Sequence, residues 1–311
     1  MPRSERQVPA VYFGRPGAFI SLPWPRGDLD KPFTRQVYDF LTGSGSHFIS
    51  KSPDGARTGV VNWNALHLDN FNLIDQFWTG ANGSGPWAFI DPSVPNLLLP
   101  NQASATATTY DTTGFATSTG ATNMGTLLSN TSPSFIRRAG SPRSLRWQFT
   151  VGAAASPQLN LASPYRNWYG IPAVPGLPYT FSVWGRPDSI VDTAITLSAQ
   201  MLWTDAAGAT LSTATSGNIN MNSGYVKLTA TGTAPANTAY IQPVLVADGA
   251  TITTGASIYL DEMMLEQDSV ANTWAPGNGC RAVEITSLAD IVPFESRMRR
   301  NCTMVYQELV A

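Results

Sequence analysis

The chain has 311 residues, a formal net charge of −2, 43% hydrophobic residues and only 13% charged ones, about half the usual globular share of charge. It is long enough for two ordinary domains with real cores, and its near-neutral charge excludes a global pull toward nucleic acid or acidic membranes. Two cysteines and two histidines are too few for a disulfide scaffold or a Cys/His zinc cluster, and no apolar run reaches the length of a membrane span.

Taken in order, segment 1–15 is polar with no apolar h-region, so no secretory signal is expected and the chain is expected to be soluble in the cytoplasm that makes it. Residues 8–13 and 17–22 read as strands separated by Gly14 and Pro16. Residues 37–41 fit a strand or a short helix. Residues 59–68 alternate around Val61, Trp63 and Ala65 and fit a half-buried strand. A helix follows, capped by Asp69 or Asn70. Phe71, Ile74, Phe77 and Trp78 form its apolar face, and Gly80 stops it. The glycine-rich loop 80–86 leads to a short strand at 87–90, ended by Asp91 and Pro92.

From Asn96 the composition changes to Ser, Thr, Ala and Gly, with Tyr110, Phe115, Met124, Leu127 and Leu128 recurring as in short strands and ordered loops. Strands are then expected at 144–151, 179–186, 194–203, 225–231, 239–246 and 257–265. Turn residues separate them, as at 205–208 and 248–249. That rhythm predicts an antiparallel sandwich or jelly roll. The tail after Gly277 has strand-like stretches at 281–285 and 301–309. It is too short to fold alone, so it is expected to complete the N-terminal region. The predicted organisation is a discontinuous β domain from 1–95 plus 278–311, interrupted by an inserted jelly roll over 96–277. Cys280 and Cys302 both lie in this tail and are expected as buried thiols.

Residues 83–101 (GSGPWAFIDPSVPNLLLPN) resemble the minor tail proteins of long-tailed bacteriophages of actinobacteria. Five further stretches, 142–147 (PRSLRW), 174–184 (VPGLPYTFSVW), 202–208 (LWTDAAG), 233–240 (TAPANTAY) and 258–277 (IYLDEMMLEQDSVANTWAPG), are similar to the carbohydrate-binding-module-like jelly rolls inserted in such proteins. The resemblance implies a mainly β fold, with a tail-tube-like β-barrel or sandwich domain of the distal tail type around the insert. It implies a phage tail-tip protein of the virion that forms a trimeric or hexameric ring and contacts tail-tube and tail-tip proteins. Host cell-wall glycan is its expected external partner, with no nucleic acid and no membrane insertion. Modules of this type often hold one structural calcium through loop carboxylates and carbonyls; the sequence maps no such site.

Little in the chain points to catalysis, and a non-enzyme is expected. Neither His47 nor His67 sits in a catalytic setting, and no G-x-S-x-G elbow accompanies them. Glycoside hydrolysis needs two facing carboxylates. Asp261 and Glu262, adjacent on a strand, are expected on opposite faces. Sugar binding needs an exposed ring beside amide or charged groups. By strand alternation Trp184, Gln200, Tyr225, Lys227 and Gln242 point away from the apolar faces. If their strands line one sheet they form a sugar-facing set; otherwise Trp184 packs under a loop and the rest are solvated. The segment 165–169 (YRNWY), with Tyr165, Trp168 and Tyr169, either stacks on glycan, plugs the open end of the sandwich or touches another subunit. The Arg-rich run 297–300 reads as a solvated face or a ring contact.

Overall fold

The structure, a computed structural model, describes residues 10–25, 37–41, 47–51, 58–91, 93–105, 114–117, 125–139, 141, 143–149, 156–163, 165, 168–188, 196–220, 224–248, 255–292 and 297–309. Its elements run β1 (Ala10–Arg15), β2 (Ala18–Pro23), β3 (Val37–Leu41), β4 (His47–Lys51), β5 (Thr58–His67), α1 (Leu68–Trp78), β6 (Trp87–Ile90), α2 (Pro100–Ala103), β7 (Phe115–Thr117), β8 (Thr126–Asn130) and β9 (Ser144–Gln148). They continue as β10 (Gln158–Leu161), β11 (Ile171–Pro172), β12 (Pro178–Pro187), β13 (Thr196–Thr204), β14 (Thr210–Thr215), β15 (Ile219–Asn220), β16 (Val226–Thr233), β17 (Tyr240–Asp248), β18 (Ser257–Glu266), β19 (Cys280–Ile291) and β20 (Arg299–Glu308). The protein is mainly β. Two compact units divide it: Met1–Arg15, Phe19–Ile90 and Arg281–Ala311 form one, Pro16–Ala18 and Asp91–Cys280 the other.

The first unit carries an open six-stranded sheet in the order β2-β1-β6-β19-β20-β5, and no closed barrel occurs among the described residues. Val11, Phe13, Val61, Trp63, Trp87, Phe89, Met304 and Tyr306 are buried with Ile74 and Phe77 of α1. Phe13 meets Phe77 edge-on at 5.2 Å, and Phe77 meets Trp87 at 4.8 Å. Phe71, Ile74 and Phe77 pack as the helical period predicts, but Trp78 is 43% exposed. The helix begins earlier than expected. His67 is its N-cap, accepting through Nδ1 from the Asp69 N–H at 3.4 Å, and Gly80 follows the C-cap with φ +78. Strand alternation in β5 slips at Ala65, which has φ +63. The β5–β20 register shifts there, and Leu66 rather than Ala65 is buried. Cys280 and Cys302 are buried thiols that are not joined in a disulfide; burial pushes the Cys302 thiol up to about 12, with the Asp290 charge adding to the effect.

The second unit is a sandwich of two antiparallel sheets. One runs β14-β13-β17-β10-β7, with β11 on β17 and β15 on β13; the other runs β16-β12-β18-β9-β8. Leu197, Met201, Trp203, Ile241 and Leu245 of the first sheet are buried, as are Trp147, Tyr179, Phe181, Val183, Leu228, Ile258 and Leu260 of the second. Tyr179 and Trp203 meet edge-on across the sheets at 5.7 Å. Successive long strands alternate between sheets, since β12 and β16 belong to one and β13 and β17 to the other.

Asn96, fully buried, ties the start and end of this unit together. Its Nδ2 donates to the Met263 and Ala275 carbonyls at 2.9 Å, and its Oδ1 accepts from Leu98 and Leu265 N–H. Asn278 N–H donates to the Leu98 carbonyl at 2.6 Å and Gly279 N–H to that of Asn96 at 2.8 Å. A buried amide with every donor and acceptor used is the arrangement that low-dielectric burial demands. Among the described residues no helix is long and apolar enough to cross a membrane.

Candidate functional site

A cleft of about 510 Å³ opens on the outer face of the β12-containing sheet. Its floor and near wall come from strand alternation. Phe181 and Val183 point into the core, so Ser182 and Trp184 point outward. Lys227 of β16 pairs directly with Trp184 and lines the same cleft.

The third strand contributes through a bulge. Between Ser182↔Met264 and Trp184↔Asp261 the β12–β18 register shifts, leaving one β12 residue opposite two of β18. Glu262 at the bulge has φ +50, in the left-handed region that non-glycine residues seldom occupy. The bulge breaks the two-residue alternation, so the expected opposite placement of Asp261 and Glu262 does not hold. Both carboxylates address one segment, 137–138. Asp261, 0% exposed, accepts through Oδ2 from the Arg137 and Arg138 N–H groups at 3.0 and 3.1 Å. Its Oδ1 accepts from Glu262 N–H at 2.8 Å. Glu262 Oε2 accepts from Arg137 Nη1 in an ion pair.

Fixed at the backbone, the two arginines cover two tryptophans. The Arg137 guanidinium lies 3.6 Å from the Trp184 ring centroid, and that of Arg138 lies 4.5 Å from that of Trp274. Both are cation–π contacts. Trp274 lines the far wall, and its Nε1 donates to the Ala103 carbonyl at 2.9 Å. The loop before it is pinned by Glu266, which accepts from Asn272 N–H at 2.9 Å and from Asn272 Nδ2 at 2.6 Å. Burial raises the Glu266 carboxyl above its ordinary value, and the two Asn272 bonds oppose that shift.

The structure brings together Trp184 and Lys227 of the expected set. Gln200 and Gln242 lie on the other sheet, where Gln200 pairs with Val244 and Gln242 with Leu202. The expected single surface is therefore split, because the chain crosses from one sheet to the other between β12 and β13 and again between β16 and β17. Tyr225 is half-buried, and its OH donates to the Phe135 carbonyl at 2.9 Å. Burial, and next the Asp261 charge, pushes its phenol well above the usual tyrosine value. It anchors the 133–135 turn beneath which Phe135 stacks on Tyr259 at 4.0 Å.

Tyr165 and Trp168 meet edge-on at 4.9 Å. They line a gap of only about 10 Å³ with Leu97, Leu99, Ile171 and Pro172. Tyr169 is 53% exposed, lies over Gly208 and meets Tyr240 edge-on at 6.0 Å. Arg166 and Asn167 of this segment lie outside the described residues, as does the His47 side chain. No group of three or more His, Cys, Asp or Glu side chains fit to hold a metal ion occurs among the described residues, so no calcium site is assigned.

Arg137, Glu262, Asn272 and Trp274 were not in the expected site. The Arg137-Arg138 pair is the available signal, two adjacent guanidiniums in a chain with 13% charged residues.

No protein-family model and no curated protein matches the chain. Among solved structures it is similar to the enzymatically active domain of tailspike protein 4 of Bacteriophage CBA120, with TM-score 0.41 and 12% identity over 57% of this chain and 22% of that one. A family 22 carbohydrate-binding module of Clostridium thermocellum Xyn10B aligns with TM-score 0.36 and 16% identity over 55% of this chain and 98% of that one. The module TmCBM61 in complex with beta-1,4-galactotriose aligns with TM-score 0.32 and 11% identity over 50% and 88%. The chain thus spans less than a quarter of the tailspike structure.

Proposed function

We propose that this protein is a structural component of a bacteriophage tail tip, a distal or minor tail protein that assembles as a ring, and that its second unit binds host glycan. One observation carries the binding half: Trp184 and Trp274 line one cleft together with Lys227, Arg137, Glu262, Asn272, Thr273 and Ser182. Apolar ring faces beside cationic, carboxylate, amide and hydroxyl groups match the C–H faces and hydroxyls of a sugar chain. The resemblance of residues 83–101 to phage minor tail proteins supports the tail half. In this reading the domain made of 1–95 and 278–311 enters the tail, and the insert 96–277 faces outward in the virion. Copies on one ring would act together, so weak single-site binding is enough for attachment.

The protein is read as a binder rather than a hydrolase because Glu262 is the one carboxylate among the described cleft-lining residues, and it is paired with Arg137. Hydrolysis calls for two facing carboxylates. A second reading, a sandwich that makes only protein contacts, is favoured by the arginine covering each tryptophan. Incubation of the full chain with immobilised actinobacterial cell-wall polysaccharide separates these readings. Retention without new reducing ends is expected. New reducing ends would establish a hydrolase, and absence of retention would leave the protein-contact role.

A further inference from the structure

Building on the glycan reading of the same cleft, we propose that Arg137 is an internal competitor for the Trp184 ring, and that it makes the cleft selective for ligands able to displace it by stacking a flat, neutral sugar face. The guanidinium stands 3.6 Å from the ring centroid. A planar group at that distance is in van der Waals contact and occupies the face a pyranose would use. It fills the place of the ligand in the free protein.

Two anchors of different kind hold it. The Arg137 backbone is fixed by the buried Asp261 carboxylate, which also holds Arg138. Among the described residues the side chain is held by the ring and by Glu262. Rotation of the side chain can therefore uncover Trp184 while every backbone hydrogen bond of the segment stays in place. Arg138 differs: its Nη2 donates to Ser141 Oγ at 2.8 Å, and it does not line the cleft. Trp274, tied through Nε1 to Ala103, is a wall, whereas Trp184 is the ring with a removable cover.

Glu262 supplies independent support. A glycine would suit its φ of +50 without the steric cost an L side chain bears there. Backbone strain of this sort gathers at functional positions. Here the strained residue is the one whose carboxylate orients the Arg137 guanidinium. Lys227, paired with Trp184 across the strands, keeps its place in the cleft when Arg137 moves and is available to ligand hydroxyls.

The test uses the full chain and two readouts, with thermal melting to confirm that each variant folds. Acrylamide quenching of tryptophan fluorescence measures the cover without any ligand. Arg137→Ala is expected to increase quenching, and the increase is expected to vanish in Arg137→Ala combined with Trp184→Phe. Titration with xylohexaose, cellohexaose and beta-1,4-galactotriose measures the competition. Arg137→Ala is expected to bind the accepted oligosaccharide roughly twofold to fivefold tighter than the unaltered protein, the equivalent of one exposed cation–π contact. Glu262→Gln, which loosens the guanidinium without removing it, is expected to tighten binding less. Unchanged quenching in Arg137→Ala overturns the proposal, and so does weaker oligosaccharide binding, which would make Arg137 a direct sugar contact. If neither protein binds any of the three sugars or the cell-wall polysaccharide, the glycan reading fails and the competition with it. The quenching arm then still decides whether Arg137 covers the ring.

Discussion

Two groups of aromatic residues in the second unit, one contiguous in sequence and one assembled from distant segments, differ in what surrounds them. The segment 165–169 sets three rings beside an arginine; the cleft sets Trp184 and Trp274 beside Arg137 and Arg138. In the first, Tyr165 and Trp168 pack on each other and on aliphatic neighbours around a gap of about 10 Å³, barely the room one water needs. In the second, the rings meet guanidiniums, and a cleft of about 510 Å³ stands open with polar groups on its walls. Aromatic rings thus pack tightly on aliphatic neighbours in one place and stand beside an open, polar-lined cleft in the other. The neighbours supplied by strand register and loops decide which.

The largest effect is expected where the cleft cluster is assembled. Asp261→Ala leaves three backbone N–H groups, those of Arg137, Arg138 and Glu262, without their acceptor. The three bonds are partly buried, so each orphaned donor costs toward the low end of about 1–3 kcal/mol, and denaturant unfolding should show a loss of about 3 kcal/mol in all. Asp261→Asn, which keeps one carbonyl acceptor, should fall between. Should Asp261→Ala unfold like the unaltered protein, the cleft cluster is not built on this carboxylate.

Trp168→Ala is next and tests the closure side. A half-buried indole against aliphatic partners should cost about 2–3 kcal/mol, below the range for a fully buried ring, and polysaccharide retention per folded molecule should not change. Trp184→Ala is its mirror image. Trp184 is itself half-buried and stacked by Arg137, so stability should fall by about 1–2 kcal/mol, while glycan affinity should fall roughly tenfold, or about 1.4 kcal/mol. If Trp168→Ala abolishes retention and Trp184→Ala leaves it intact, the roles of the two clusters are reversed.

How far these clusters could be read from sequence depends on the range of the interaction. Alternation alone places Trp184 opposite Phe181 and Val183, and the structure agrees. Helical period and the glycine stop account for Ile74, Phe77 and Gly80. The edge strand β14, TLSTAT, is exposed along almost its whole length and so carries no alternation to read. The bulge at Glu262 is likewise silent, because a glutamate there does not advertise a positive φ. Gln200 and Gln242 were grouped with Trp184 because alternation tells inside from outside but not which sheet a strand joins. Arg137 was missed for a related reason: it is placed by a hydrogen bond to Asp261 across 124 residues, and no local pattern encodes that distance.

The smallest expected effect concerns the loop that closes the cleft, and it separates two carboxylates of β18. Glu262 is paired with an arginine, whereas Glu266 is buried and, among the described residues, accepts from the neutral donors of Asn272. Burial raises the Glu266 carboxyl in the folded protein, so the folded state binds this proton more tightly than the unfolded chain does. Stability from this group is then fully present below the ordinary value of 4.5 and is lost as pH rises through the folded value. Melting temperatures from pH 4 to pH 7 contain other titrating groups as well, so the informative quantity is the difference from Glu266→Gln. Glutamine keeps an acceptor for the Asn272 N–H and cannot ionise. The variant should lose this part of the pH slope, with its melting temperature gaining on the unaltered protein as pH rises. An identical slope in both proteins would mean that Glu266 titrates as it does in the unfolded chain. The loop would then be held by the Asn272 bonds regardless of charge.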